Sequence, residues 1–183
     1  MATHGAILLK HKRQEVFLHT SHDGHTDEAI RMILDLPKLI ARNSWLPKIA
    51  KLTPENVQET LNRNAGAGFE WSILEFSAAI ISTTFNRWLQ IPKADIKHLA
   101  PWGQKPDLIV NITDPDNVKI TVTDWSDDSC WAFLTDYPGT AISKDKPNQI
   151  LAPLHSMYVE ELLRISSGIQ YSERQEEAAN DED

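Results

Sequence analysis

The chain has 183 residues, of which 41% are hydrophobic and 24% charged, a balance that suits a folded globular domain and excludes a fully disordered chain. A formal net charge of −8 argues against a general nucleic-acid binder, which needs a basic face. The single cysteine, Cys130, excludes an intramolecular disulfide and any multi-cysteine zinc site.

Near the start, the apolar run Ala6 to Leu9 is flanked by His and Lys. It is shorter than the roughly 7–15 apolar residues of a secretory signal. It is also far below the roughly 20 of a membrane-spanning helix. The expectation is a cytoplasmic protein without membrane association. Two strands are predicted over 5–10 and 14–19, with Lys12-Arg13 as the turn between them. Thr26, Asp27 and Glu28 then suit a helix start, a hydroxyl cap followed by acids at the positive end of the dipole. Ala29, Ile30, Ile33 and Leu34 predict a helix over 27–36 that Pro37 ends.

Ser44 is a cap for a short helix near Pro47, with Trp45 and Leu46 packed. Thr53-Pro54-Glu55 starts another helix, which Gly66 and Gly68 stop. The repeat of Trp71, Leu74, Ala78, Ile81, Phe85 and Trp88 predicts one long helix over 70–88 with these side chains on its core face. From Asp107 the period becomes two, which predicts strands over 108–112, 118–125 and 130–137 in a meander. Met157, Val159, Leu162 and Leu163 predict a final helix over 154–165, with Gly168 just past its end. Glu173, Glu176, Glu177, Asp181, Glu182 and Asp183 crowd the last stretch, so 172–183 is expected to be a disordered acidic tail on a single domain over 1–171. The fold class is α+β, an antiparallel sheet built from the N-terminal strand pair and the meander, packed against helices.

The densest group of reactive side chains is His19, His22, Asp23, His25, Asp27 and Glu28, at the passage from strand to helix. Gly24 lets the chain turn there. Three readings stand open. His19, His22 and Asp23 are of the types that ligate a divalent metal such as zinc, although their spacing matches no zinc motif. A histidine and an acid from the set could exchange protons with a substrate, with His19, His22, Asp23 and His25 as the catalytic candidates. Alternatively the segment is a polar connection whose side chains serve the backbone and the helix dipole. The turn acids Asp124, Asp127, Asp128 and Asp136 lack the alternating order of a calcium loop. Trp45 and Trp102 lie near prolines in irregular segments, where exposed aromatics often anchor partners.

The opening Met1-Ala2-Thr3-His4-Gly5-Ala6, then Phe17-Leu18-His19 and His22-Asp23-Gly24-His25, resembles a group of small uncharacterised phage and prophage proteins. Those open on an Ala/Ser-Thr-Arg strand and continue into a His-x-Asp-Gly-Tyr-Pro segment before a helix. Here His4 stands where that group has Arg, His25 where it has Tyr, and Thr26 where it has Pro. The later Val122-Thr123-Asp124-Trp125 is similar in character to their strands ending in tryptophan. The resemblance implies an accessory protein of a phage or mobile element and carries over no catalytic residue. The expected function is therefore a non-catalytic module that binds a host protein in the host cytoplasm, needs no cofactor, and uses Trp45 and Trp102 as anchors. The alternative is a small hydrolase or metal-dependent enzyme using the His19 to Glu28 cluster. A homo-oligomer is compatible with the many tryptophans.

Overall fold

A computed structural model describes residues 4–21, 24–64, 73–83, 88–91, 105–124 and 131–180, with side chains described over the same ranges except at 73, 83 and 171–180. Strands β1 (Gly5–His11) and β2 (Gln14–Thr20) pair antiparallel across Lys12-Arg13, as the sequence predicts. Lys12 takes a left-handed φ of 55°, which costs a non-glycine residue about 1 kcal/mol. Its N–H donates to Thr113 Oγ1 at 2.8 Å, which helps to hold the turn.

The sheet is mixed, which corrects the expected antiparallel one. β1 pairs in parallel with β4 (Leu108–Asn111), and β4 pairs antiparallel with β5 (Val118–Val122). Beyond β5 come β7 (Gln149–Ala152) and β6 (Ala141–Ile142), and on the other side β3 (Leu89–Ile91) pairs with β2. The order is β3-β2-β1-β4-β5-β7-β6. Register explains the parallel pair. It aligns Ile7 and Leu9 with Leu108 and Val110, and these with Ile120, Val122, Val16 and Leu18, all buried on one face. A slip of one residue would turn the whole set outward.

The meander fails at its third member. Residues Ala132–Asp136 form a 3₁₀ helix, not a strand, and the next strands, β6 and β7, lie further along the chain. Phe133, Leu134 and Tyr137 are buried at helical steps. Arg31 Cζ sits 4.3 Å from the centre of the Phe133 ring, and the Arg31 guanidinium lies 3.9 Å from Asp136. The strand expected over 130–137 is therefore corrected within the described residues 131–137, Cys130 lying outside them.

Helix α1 (Thr26–Asn43) runs through Pro37 instead of ending there. Proline removes one backbone bond and costs about 3 kcal/mol inside a helix. The apolar stripe continues on both sides of it, with Ile30, Ile33, Leu34 and Ala41 fully buried, and that burial offsets the loss. Ser44 Oγ accepts the Leu46 N–H at 3.2 Å at the start of α2 (Leu46–Ile49). Helix α3 is Val57–Arg63, later than the Thr53-Pro54 start, because Thr53 donates its N–H to Asn56 Oδ1 in a turn. Helix α4 (Ile73–Thr83) lies inside the predicted long helix, but it buries Phe76, Ser77 and Ile80 and leaves Leu74 exposed. That run is apolar on nearly every side, so its periodicity selects no face. Trp88 is buried in a bend before β3, not on the helix. Helix α5 (Leu154–Asn180) passes Gly168, so the expected disordered tail begins as helix. A helical glycine costs only about 1 kcal/mol relative to alanine.

The chain gathers into two compact units, Met1–Leu36 with Trp71–Leu154 and Pro37–Glu70 with His155–Asp183. The first holds the sheet. The second is helical, and Glu161 is its main polar tie. The Glu161 carboxylate accepts from Arg164 at 2.7 Å through both oxygens and from Arg42 Nε at 3.0 Å. Bonds from Arg164, assisted by Arg42 and opposed by burial, hold its pKa down at about 2.

A carboxyl with a lowered folded pKa stabilises the fold above its unfolded value, and the gain disappears as pH falls from about 5 through about 2. Urea unfolding across that range should show this slope. Glu161→Gln should flatten it and cost about 1–3 kcal/mol at neutral pH.

Candidate functional site

The sequence-predicted cluster is only partly within the described residues. His22 and Asp23 lie outside them, as does Trp102. His25 is exposed at the start of α1, where its carbonyl accepts the Ala29 N–H at 2.9 Å. His19 stands near the end of β2, opposite Ala6 of β1 and Leu89 of β3. It lies on the sheet face opposite the Ile7–Leu18 core face, because side chains alternate along a strand.

Three groups distant in sequence join His19 at this end of the sheet. The His4 ring stacks on the His19 ring, with centroids 5.9 Å apart and planes at 25°. Asp107, one residue before β4, clasps Ala6 twice. Its N–H donates to the Ala6 carbonyl at 2.8 Å, and its Oδ2 accepts the Ala6 N–H at 2.7 Å. Asp124, exposed just past β5, lies close enough to push the Asp107 carboxyl upward. The parallel register sets this arrangement, since it brings the first residues of β1 and β4 to one end, beside the last of β2 and β5.

The charges interact as follows. Burial lowers the His19 pKa, the His4 ring lowers it further, and Asp107 opposes both. Burial raises the Asp107 pKa, the Ala6 and Asp107 N–H groups and His19 lower it, and Asp124 raises it. The two groups thus act on one another electrostatically, each holding the other's pKa toward its charged form, and both are residue types used in proton transfer. Among the described residues no group of three His, Cys, Asp or Glu side chains is placed to hold a metal ion. Nothing in the local sequence around His4, Asp107 or Asp124 ties them to His19. Only the strand pairing makes them neighbours of His19.

Gly24 fixes the loop against the sheet. A Cβ there would meet Gly5 N at 2.3 Å, Gly5 Cα at 2.5 Å and His4 C at 2.5 Å. The backbone at Gly24 therefore lies directly on the start of β1. Any side chain at 24 must push the loop or His4 away.

Trp45, the other described candidate, is 45% exposed, where packing was expected for it as well as binding. Its backbone is helical and leads into α2, so Ile49 follows one turn later and is 67% exposed. Leu46 and Pro47, between them, are buried. The short helix thus spends one side on the core of its unit and presents a tryptophan and an isoleucine on the other.

No family model, no curated protein and no solved structure matches the chain. Among the described residues no helix is long and apolar enough to cross a membrane.

Gly24→Ala should cost about 2 kcal/mol or more in urea unfolding, because its clash is with backbone. Gly168→Ala, whose Cβ meets nothing within 4 Å, should instead stabilise by about 0.5–1 kcal/mol. In an NMR pH titration, His19 should titrate below an ordinary histidine. Its pKa should rise in His4→Phe and fall further in Asp107→Asn. The opposite order would break the charge assignment. A lowered histidine pKa makes the fold lose stability as pH falls below the unfolded value of 6.5, and His19→Gln should remove that slope.

Proposed function

We propose that the protein is a non-catalytic interaction module that docks on another protein through the Trp45–Ile49 face of α2. One observation carries this reading. Two large apolar side chains, 45% and 67% exposed, stand one helical turn apart on a helix whose other residues are buried or charged. Single exposed apolar residues need no explanation, but tryptophan is among the residues enriched at binding hot spots, and here an exposed isoleucine stands beside it on a supported helix. The resemblance of the first residues to phage and prophage proteins adds a setting, an accessory protein that covers a surface on a host protein.

A second reading rests on a different observation. The stacked His4 and His19 rings lie at the end of a sheet with Asp107 acting electrostatically on His19, an arrangement that would suit a small hydrolase that moves a proton at His19. Interaction is preferred because the described part of this cluster holds no substrate-orienting group beyond the pair.

Tagged full-length protein should retain a host protein at near-physiological salt. Trp45→Ala with Ile49→Asp should weaken that binding by about 30-fold, the effect of losing a central anchor, while the melting temperature stays close to that of the unaltered chain. Equal retention by both forms would remove the Trp45 face from the function. Proton-transfer chemistry instead predicts a hydrolytic activity that His19→Gln abolishes and the Trp45 variant leaves intact.

A further inference from the structure

We infer that the Trp45–Ile49 face recognises an acidic protein segment bearing an apolar anchor. This rests on the docking reading above and adds the chemistry of the partner.

Charge around the face carries the argument. Between Asp35 and Glu55 the chain contains Lys38, Arg42, Lys48 and Lys51 and no acidic residue, although the whole chain has 26 acids against 18 lysines and arginines. The basic stretch runs against the composition of its surroundings, and the two exposed apolar anchors fall in the middle of it. Lys48 is exposed on α2 itself, between Trp45 and Ile49, and its N–H is bonded to the Trp45 carbonyl at 3.0 Å. Lys51 is exposed two residues after Ile49. Arg42, three residues before Trp45, shares the single carboxylate of Glu161 with Arg164, which leaves two guanidiniums against one negative charge.

Cations flanking an apolar anchor steer an oppositely charged partner and fix its register, while the buried apolar contact supplies most of the binding energy. Lysine and tryptophan together also suit single-stranded nucleic acid, where bases stack on aromatic rings. Ile49 is the more exposed of the two anchors and has no ring to stack on, which favours a protein side chain in that place. An anionic membrane would call for a longer amphipathic helix than the four residues of α2, two of which face the core. The acidic segment is therefore assigned to a protein.

The test uses the full chain labelled with 5-fluorotryptophan, with the Trp45 fluorine resonance identified by its loss in Trp45→Phe. The probes are a short peptide of glutamate, leucine and phenylalanine, its counterpart with lysine for every glutamate, oligothymidylate, and phosphatidylserine vesicles. The acidic peptide should shift the Trp45 resonance and bind about tenfold more tightly than the basic peptide, with the advantage shrinking at high salt. Lys48→Glu with Lys51→Glu, both at exposed positions, should reverse the preference. Equal binding of the two peptides at Trp45 would overturn the inference and leave the docking reading standing. Preference for the oligonucleotide or the vesicles would overturn the protein assignment. No response of Trp45 to any probe would overturn the inference, and the host-protein binding of the Trp45 and Ile49 variants would then decide the docking reading separately.

Discussion

Ala6 and Asp107 are 101 residues apart and exchange two hydrogen bonds, N–H to carbonyl one way and N–H to carboxylate the other. Much of the sheet unit depends on this clasp. It sits where β1 and β4 begin side by side, the one parallel pairing among the described strands. A parallel pair cannot be closed by a tight turn, so its register must be fixed by contacts between distant residues. The side-chain bond to a backbone N–H does that at the first rung. It also explains why a carboxylate stays at a part-buried position that raises its pKa. The two N–H donors return some of what burial takes.

The same clasp creates the polar end of the sheet. With Asp107 held against Ala6, and Ala6 opposite His19, the carboxylate is brought into the field of the His19 ring. His4, one residue ahead of β1, then stacks on it. Gly24 also approaches the Gly5 backbone closely at the same place. Each of these contacts joins segments that the hairpin or the parallel pair had already brought near. The polar end is thus a product of register, and a change that slips the register would scatter it.

In the helical unit the corresponding tie is Glu161, whose carboxylate is almost fully used by two arginines from separate helices. Such a group is costly to leave unpaired, so it fixes α1 and α5 to one another within that unit. The segment between them, α2, is where apolar side chains are left at the surface. Burial of Leu46 and Pro47 holds the short helix in place, which lets Trp45 and Ile49 face outward on a rigid support. Rigid aromatic and aliphatic anchors lose little entropy when a partner covers them.

Features governed by local physics were legible in the chain of residues. The β1–β2 hairpin follows from two apolar runs and a two-residue turn, and β4 and β5 from their alternation. The starts of α1 and α5 follow from the spacing of their apolar residues, although Thr26 is the first residue of α1 and not its cap, and Trp45 and not Ser44 stands at the cap of α2. His19 and Trp45 could be named as candidates because each is chemically conspicuous where it stands. The remaining features depend on contacts between distant segments. The passage of α1 through Pro37 depends on burial that outweighs a lost bond, and the buried face of α4 could not be read from a run apolar all round. The 3₁₀ helix at 132–136 packs Phe133 against Arg31, a contact across a hundred residues that no local pattern shows. His4 and Asp107 became neighbours of His19 through strand pairing, which is a hydrogen-bonding choice between segments far apart in the chain. Local propensity acts over a few residues and leaves a pattern that can be read, whereas a pairing between distant strands is fixed by burial of both faces at once and leaves none.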